Sequence, residues 1–268
     1  MCNTCGCNIT PGNRHLARRT QPAGTTAVEV LQRLLSGNDA CAAGNRTRFD
    51  ATGLLVINLM SSPGSGKTSL LEATIDALAD RVRIGVIEGD LETENDARRI
   101  RAHGVPAEQI TTGSACHLDA HMVAGVLDHL PLSSLDILFV ENVGNLVCPA
   151  GFDLGQHCDV VLLSVTEGDD KPAKYPVMFR AADLVVLSKA DLLPVLGDFD
   201  PGRARQQVRE LANAAPVIEV SARQQDGLRA WTDWLLGRLQ QHRADAGTQR
   251  AASAPALRYR PVGLGQSA

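Results

Sequence analysis

Lys67 and Thr68 close the run Ser61-Ser62-Pro63-Gly64-Ser65-Gly66, whose small residues let backbone N–H groups converge on an anion. An apolar, β-branched run (Leu54 to Met60) comes before it, and a helical pattern (Lys67 to Ala79) comes after. A strand, a glycine-containing loop ending in Lys-Thr and a helix start together make a phosphate-binding loop. The free N–H groups of the first turn and the helix dipole favour negative charge there. Ser62, Gly64, Ser65, Gly66, Lys67, Thr68 and Ser69 are therefore the candidate phosphate-binding residues. Lys67 supplies a mobile cation for the β- and γ-phosphates, and the Thr68 hydroxyl is a ligand for Mg²⁺. The usual loop begins on glycine and this one on Ser61. Gly64, Gly66 and Lys67 carry the tight wrap, so the loop is expected to persist.

Further reactive side chains follow apolar runs. Asp90 comes after Val82 to Glu88 (VRIGVIE), at a strand's carboxyl end, where open α/β sheets bind ligands. It can hold Mg²⁺ through water or orient an attacking water. The other reading of this acidic stretch is that it caps the helix predicted over Asp96 to Ala102. Glu141 ends Leu135 to Asn142 and begins Glu141-Asn142-Val143-Gly144. In P-loop GTPases an acid at this point reaches Mg²⁺ through water, and the glycine N–H senses the γ-phosphate; the usual acid is aspartate. Ser188-Lys189-Ala190-Asp191 resembles the guanine motif [NST]-K-x-D, with Ser in place of the usual Asn. Its aspartate accepts two hydrogen bonds from guanine that adenine cannot offer, and an unpaired buried carboxylate is costly. Ser188 is expected to give one weaker supporting hydrogen bond. Ser221-Ala222, after Val217 to Ser221, resembles the remaining guanine-loop motif.

Sulfur and imidazole form a second chemistry. Cys2, Cys5 and Cys7 give C-x-x-C-x-C in a stretch too short for a core. Thiolates suit Ni, Zn or Cu(I), so a soft metal is the leading reading, with a redox motif or an unused tail as the others. If the initiator Met is removed, the α-amine of Cys2 and three thiolates can make a square-planar site that favours Ni²⁺. Cys116 and His117 are adjacent at a predicted helix start, with His121 one turn on. Cys148 lies four residues past Gly144, so a segment that moves with the γ-phosphate carries a thiol.

Continuous apolar runs (54–60, 82–88, 135–142, 159–166, 183–188, 217–221) alternating with helical patterns predict an α/β P-loop NTPase fold, mostly parallel, with helices on both faces. The chain has 268 residues, 44% apolar and 3% aromatic, so the core is aliphatic. Net charge of −4 argues against a nucleic-acid surface. No apolar run nears the roughly 18 residues of a membrane span, and no signal region is evident, which predicts a cytoplasmic protein. The expected organisation is a Cys-rich N-terminus and linker (1–25), a GTPase domain with an N-terminal helix broken at Gly37 (26–243), and a disordered tail (244–268).

SSPGSGKT, EGD, GSACHLDA, ENVGNLVCPA, VTEGDDKPAKYP and SKAD, in that order behind CxxCGC, resemble the hydrogenase nickel-incorporation GTPases of the HypB family. The resemblance spans about residues 27 to 243 plus 2 to 7. It implies a GTPase that supplies Ni²⁺ to the [NiFe]-hydrogenase large subunit precursor. The implied partners are a second copy of the chain, the metallochaperone HypA and, in many members, a nickel-storage protein. It places one metal site on Cys2, Cys5 and Cys7. A second site, for Ni²⁺ or Zn²⁺, falls on Cys116, His117 and Cys148, near a dimer interface. The cofactor set is then GTP, Mg²⁺, Ni²⁺ and Zn²⁺, with Thr68, Asp90 and Glu141 around Mg²⁺ and slow turnover. The chain departs from the family in lacking a histidine-rich stretch, which removes the argument for nickel storage. Two alternatives remain: a related GTPase for urease or cobalamin enzymes, and a nickel-binding module without hydrolysis.

Overall fold

The computed structural model describes residues 27–91, 94–211 and 213–253. Cys2, Cys5 and Cys7 lie outside the described residues. The described chain forms a seven-stranded sheet whose ladders are all parallel. In chain order the strands are β1 (Leu55–Ser61), β2 (Ile84–Asp90), β3 (Ala107–Thr111), β4 (Ile137–Glu141), β5 (Cys158–Ser164), β6 (Leu184–Ser188) and β7 (Val217–Val220). Their spatial order is β3-β2-β4-β1-β5-β6-β7. Strands β4, β1, β5 and β6, adjacent in the sheet, are almost entirely buried and rich in Val, Ile and Leu, as strands covered on both faces must be.

The helices are α1 (Ala27–Thr52), α2 (Lys67–Leu78), α3 (Asn95–Ala102), α4 (Ala120–Val126), α5 (Lys171–Lys174), α6 (Pro176–Ala181), α7 (Pro201–Glu210) and α8 (Leu228–Ser253). One face of the sheet packs Ile57, Leu59, Phe139 and Val160 against Leu71 and Ile75 of α2 and Trp231 and Leu235 of α8. Trp231 is fully buried, and its indole N–H donates to Thr74 Oγ1 at 2.7 Å. The other face packs Val56, Leu138 and Val140 against Phe49 of α1 and Val123 of α4.

Three expectations change. The N-terminal helix is not broken at Gly37 but runs on to Thr52. A mid-helix glycine costs only about 1 kcal/mol, and this helix is held from the side. Buried Asn38 accepts from the Ala120 N–H (2.9 Å) and donates to the Asp153 carbonyl (2.8 Å), and Asn45 donates to the carbonyls of Ala120 and Leu154. The stretch before α4 runs through turns and bends, so His117 precedes the helix and exposed His121 does not share a face with it. The last helix, α8, runs to Ser253, into the stretch from residue 244 that composition read as a disordered tail. Strand β3 and helices α5, α6 and α7 have no counterpart in the sequence reading. Asp96 lies in the first turn of α3 and pairs with Arg99 rather than capping the helix.

At the sheet's amino edge, Asp136 braces several elements. Its carboxylate accepts from the Arg83 backbone N–H (2.8 Å) and from Arg83 Nε and Nη2 (3.0 and 2.9 Å), and it also pairs with Arg243 of α8. Hydrogen bonding by Arg83 holds the carboxyl down at about 2. A depressed carboxylate stabilises the fold fully above the unfolded value near about 4 and ceases to as pH falls through the folded one. Asp136→Asn is expected to lower the unfolding free energy at pH 7 by about 1–2 kcal/mol. The deficit should shrink as pH falls from 4 towards 2, as urea unfolding across that range would measure.

Candidate functional site

The phosphate loop sits where its sequence placed it, between β1 and α2. Gly64 and Gly66 take positive φ (72° and 96°), which side chains resist, and so let the backbone wrap tightly at the helix start. Ser61, at the position usually held by glycine, is hydrogen-bonded within the loop. Its hydroxyl accepts from Lys67 Nζ (3.0 Å) and donates to the Ser62 carbonyl (2.7 Å), while Ser65 Oγ donates to the same carbonyl (2.9 Å).

Thr68 Oγ1 donates to Glu141 Oε1 at 3.0 Å, and Lys67 Nζ lies 3.9 Å from the same oxygen. These side chains are buried, and Glu141 Oε2 has no hydrogen-bond partner. A buried carboxylate oxygen left over beside a threonine hydroxyl and a phosphate cradle suits a hard divalent cation, so the residues fit Mg²⁺. Glu88 of β2 is the side chain the sequence reading missed. It is 1% exposed, is the Cα partner of Glu141, and also carries an orphaned oxygen, Oε1. Burial, then the adjacent Glu141 charge, push its carboxyl far up. Burial raises Glu141 too, and Lys67 opposes that shift. The available signal in sequence was one glutamate inside an otherwise apolar strand. Asp90 closes β2, as expected, and its Oδ1 accepts from the Leu91 N–H.

Gly144 lies against the phosphate loop so closely that a Cβ there would come within 2.7 Å of Pro63 Cα. The segment on either side is tied to the Cys116–Leu118 loop by two asparagines. Asn142 Oδ1 accepts from the N–H groups of Leu118 and Val143 (both 3.0 Å), and Asn145 Nδ2 donates to the Cys116 carbonyl (3.2 Å). Asn142 in turn donates to Asn58 Oδ1, and Asn58 to Asp159, so amides carry the network across the sheet.

This tie brings Cys116, His117 and Cys148 together, with ligand atoms all within 4.8 Å of one another. The Cys116 and Cys148 sulfurs are 3.0 Å apart, far beyond a disulfide bond. Metal–sulfur bonds of about 2.3 Å set at right angles need sulfurs about 3.3 Å apart, so an ion would part them only slightly. His117 stacks on Phe152, with ring centroids 3.9 Å apart. Burial lowers its pKa, keeping the ring neutral and able to ligate. Three ligands leave one position open. His121 is outside this group.

Asp50, His157 and His242 also gather at the amino edge. There the Val56 N–H donates to His157 Nδ1 (2.9 Å), which leaves the proton on Nε2, facing Asp50. That tautomer offers a cation no lone pair, so this group is a structural brace.

The guanine motif forms a cavity of about 240 Å³ between α2 and the ends of β6 and β7. Asp191, Lys189, Ser188 and Ala222 line it, with Arg223, which the sequence reading did not pick out. Lys189 has φ of 57° and donates from Nζ to the Gly64 carbonyl at 2.7 Å. Ser188 Oγ donates to the buried Ser65 carbonyl at 2.7 Å, so the serine makes a full-strength link to the phosphate loop. Ser221 does not line the cavity; its hydroxyl accepts from the Gln224 N–H and shapes the turn. Ser62, Gly64, Ser65, Gly66, Lys67, Thr68 and Ser69 thus converge with Glu141 and Gly144 on one edge of the sheet.

The family model described as "CobW/HypB/UreG, nucleotide-binding domain" matches residues 55–219. The chain belongs to the HypB family. It is 52% identical over 233 residues to the hydrogenase maturation factor HypB of Azotobacter vinelandii, covering 86% of this chain and 77% of that protein. The Helicobacter pylori hydrogenase/urease maturation factor HypB is 45% identical over 213 residues, covering 78% of this chain and 87% of that one. The crystal structure of H. pylori HypB in complex with nickel superimposes with a TM-score of 0.73 at 44% identity, over 76% of this chain and 96% of that one. HypB from Archaeoglobus fulgidus gives 0.72 at 41% identity, over 76% and 100%.

Ser188→Ala would strip the Ser65 carbonyl of its buried donor. The expected cost is about 1–2 kcal/mol in thermal or urea unfolding, with Ser188→Asn restoring part of it.

Proposed function

We propose that this chain is a slow GTPase that carries Ni²⁺ to the large subunit precursor of a [NiFe]-hydrogenase during maturation. The observation that carries the reading is the meeting of Cys116, His117 and Cys148 on a loop pinned to the segment that rests on the phosphate loop. Nickel is the cargo. His117 and the two thiols are the groups that hold Ni²⁺ or Zn²⁺, and Cys2, Cys5 and Cys7 are the proposed second site.

Guanine specificity rests on Asp191, with Lys189 and Ser188 locking the base pocket to the phosphate loop. Thr68 and Glu141 would hold Mg²⁺, which would supply charge neutralisation to the phosphates. Thr68 and Glu141 orient towards it, Lys67 moves from Ser61 onto the phosphates, and Asp90 positions the attacking water. The Gly144 N–H reads the γ-phosphate. Movement of that segment pulls on Asn142, Asn145 and Cys148 together and so changes the spacing of the metal ligands. Metal and nucleotide affinities are then linked reciprocally.

Val147, beside Cys148, is 58% exposed, which supports a second copy of the chain covering the metal loop. The proposed organisation is a metal-binding N-terminus, a GTPase domain and a C-terminal extension, acting in the cytoplasm with HypA and, where present, a nickel-storage protein. Among the described residues no helix is long and apolar enough to cross a membrane.

Ni²⁺ titration with GDP and with a non-hydrolysable GTP analogue should give different affinities for wild type, and Cys148→Ala should abolish the nucleotide-responsive site. Equal affinities in the two nucleotide states would refute the coupling. Asp90→Ala should slow hydrolysis at saturating GTP and Mg²⁺ by tenfold or more; a wild-type rate would remove Asp90 from the reaction.

A further inference from the structure

We propose that Glu88 is a second carboxylate ligand of the Mg²⁺ site, standing beside Glu141 and turned towards the same cation as the Thr68 hydroxyl. The inference rests on the reading of this edge as a Mg²⁺·GTP site.

Glu88 and Glu141 are directly opposed Cα partners on the parallel ladder β2–β4. Side chains alternate along a strand, and Val86 and Ile84 on one side, Phe139 and Ile137 on the other, belong to the same apolar cluster under α2. Both glutamates therefore emerge on the α2 face, immediately beyond that cluster, at the helix start that carries Lys67 and Thr68. Like charges directly opposite each other destabilise a sheet, and buried charges are costly unless paired.

The local inventory would not balance two ionised carboxylates, and Glu88 is held neutral against Glu141 by burial and by that neighbour's charge. Lys67 is 3.9 Å from Glu141 and is hydrogen-bonded to Ser61, and one ammonium offsets one carboxylate. Two oxygens, Glu88 Oε1 and Glu141 Oε2, are buried without partners. A packing role would be met more cheaply by an aliphatic side chain, as at Ile84, Val86 and Ile87 of β2. What fits two orphaned carboxylate oxygens beside a threonine hydroxyl is a hard divalent cation. Mg²⁺ is held by one or two carboxylates together with phosphate oxygens and water.

The test is the Mg²⁺ affinity of the GDP complex, measured with the full chain and a fluorescent GDP. Glu88→Gln should weaken Mg²⁺ by tenfold or more. GDP affinity in EDTA should stay within about twofold, and thermal stability of the nucleotide-free protein should be little changed, since a neutral amide replaces a carboxyl that burial holds neutral. Glu88→Asp keeps the charge but withdraws it by one methylene, so it should lose less Mg²⁺ affinity than Glu88→Gln and serves as the folding-safe variant. Wild-type Mg²⁺ affinity in either folded variant overturns the assignment of Glu88 alone. If the wild-type protein binds GDP with no dependence on Mg²⁺, the reading of the edge as a Mg²⁺·GTP site fails instead, and Glu88 with it.

Discussion

A sheet whose strands all point one way has all their carboxyl ends on one edge, and this protein puts its chemistry there. The phosphate loop leaves β1, the acids end β2 and β4, the guanine motif leaves β6, and the last guanine-loop residues leave β7. Parallel strands need crossover connections over both faces, which is why the strands are apolar throughout and why polar residues within them stand out. The functional loops vary in composition, yet their positions follow from a core of ordinary aliphatic residues.

Two kinds of polar interior meet at that edge. Around Lys67, Glu88 and Glu141 it is charged and incompletely paired, as suits a place that receives phosphates and a cation. Around Asn142 and Asn145 it is made of amides engaged by backbone or by a neighbouring amide, with Asn58 carrying the chain on to Asp159. The first arrangement is costly until a ligand arrives. The second is satisfied as it stands and can hold a loop in place without any ligand.

What was legible in sequence was local. Gly64, Gly66, Lys67 and Thr68 announce a phosphate loop because the backbone shape and the chemistry fall within one short stretch. Lys189 and Asp191 do the same for the base. The partnership of Cys116 and His117 with Cys148 was not readable from spacing, because it is made by Asn142 and Asn145 across strands; only the family resemblance implied it. Glu88 was hidden because its partner lies 53 residues away on a neighbouring strand. The run of α1 through Gly37 was hidden because the anchors, Asn38 and Asn45, find partners in distant loops. Short α5 and α6 carry prolines and too few residues for a periodic signal.

The amide tie has a further consequence for how the protein meets its surroundings. Carboxamides do not titrate, and buried dipoles are not screened by dissolved ions as exposed charges are. The hydrogen bonds by which Asn142 and Asn145 grip the Cys116–Leu118 loop are therefore insensitive to ionic strength, and the groups that make them do not themselves titrate. Nucleotide capture at Lys67, an encounter between opposite charges, does respond to ionic strength. The chain thus sets a charged pocket that responds to the ionic medium beside an amide tie that does not.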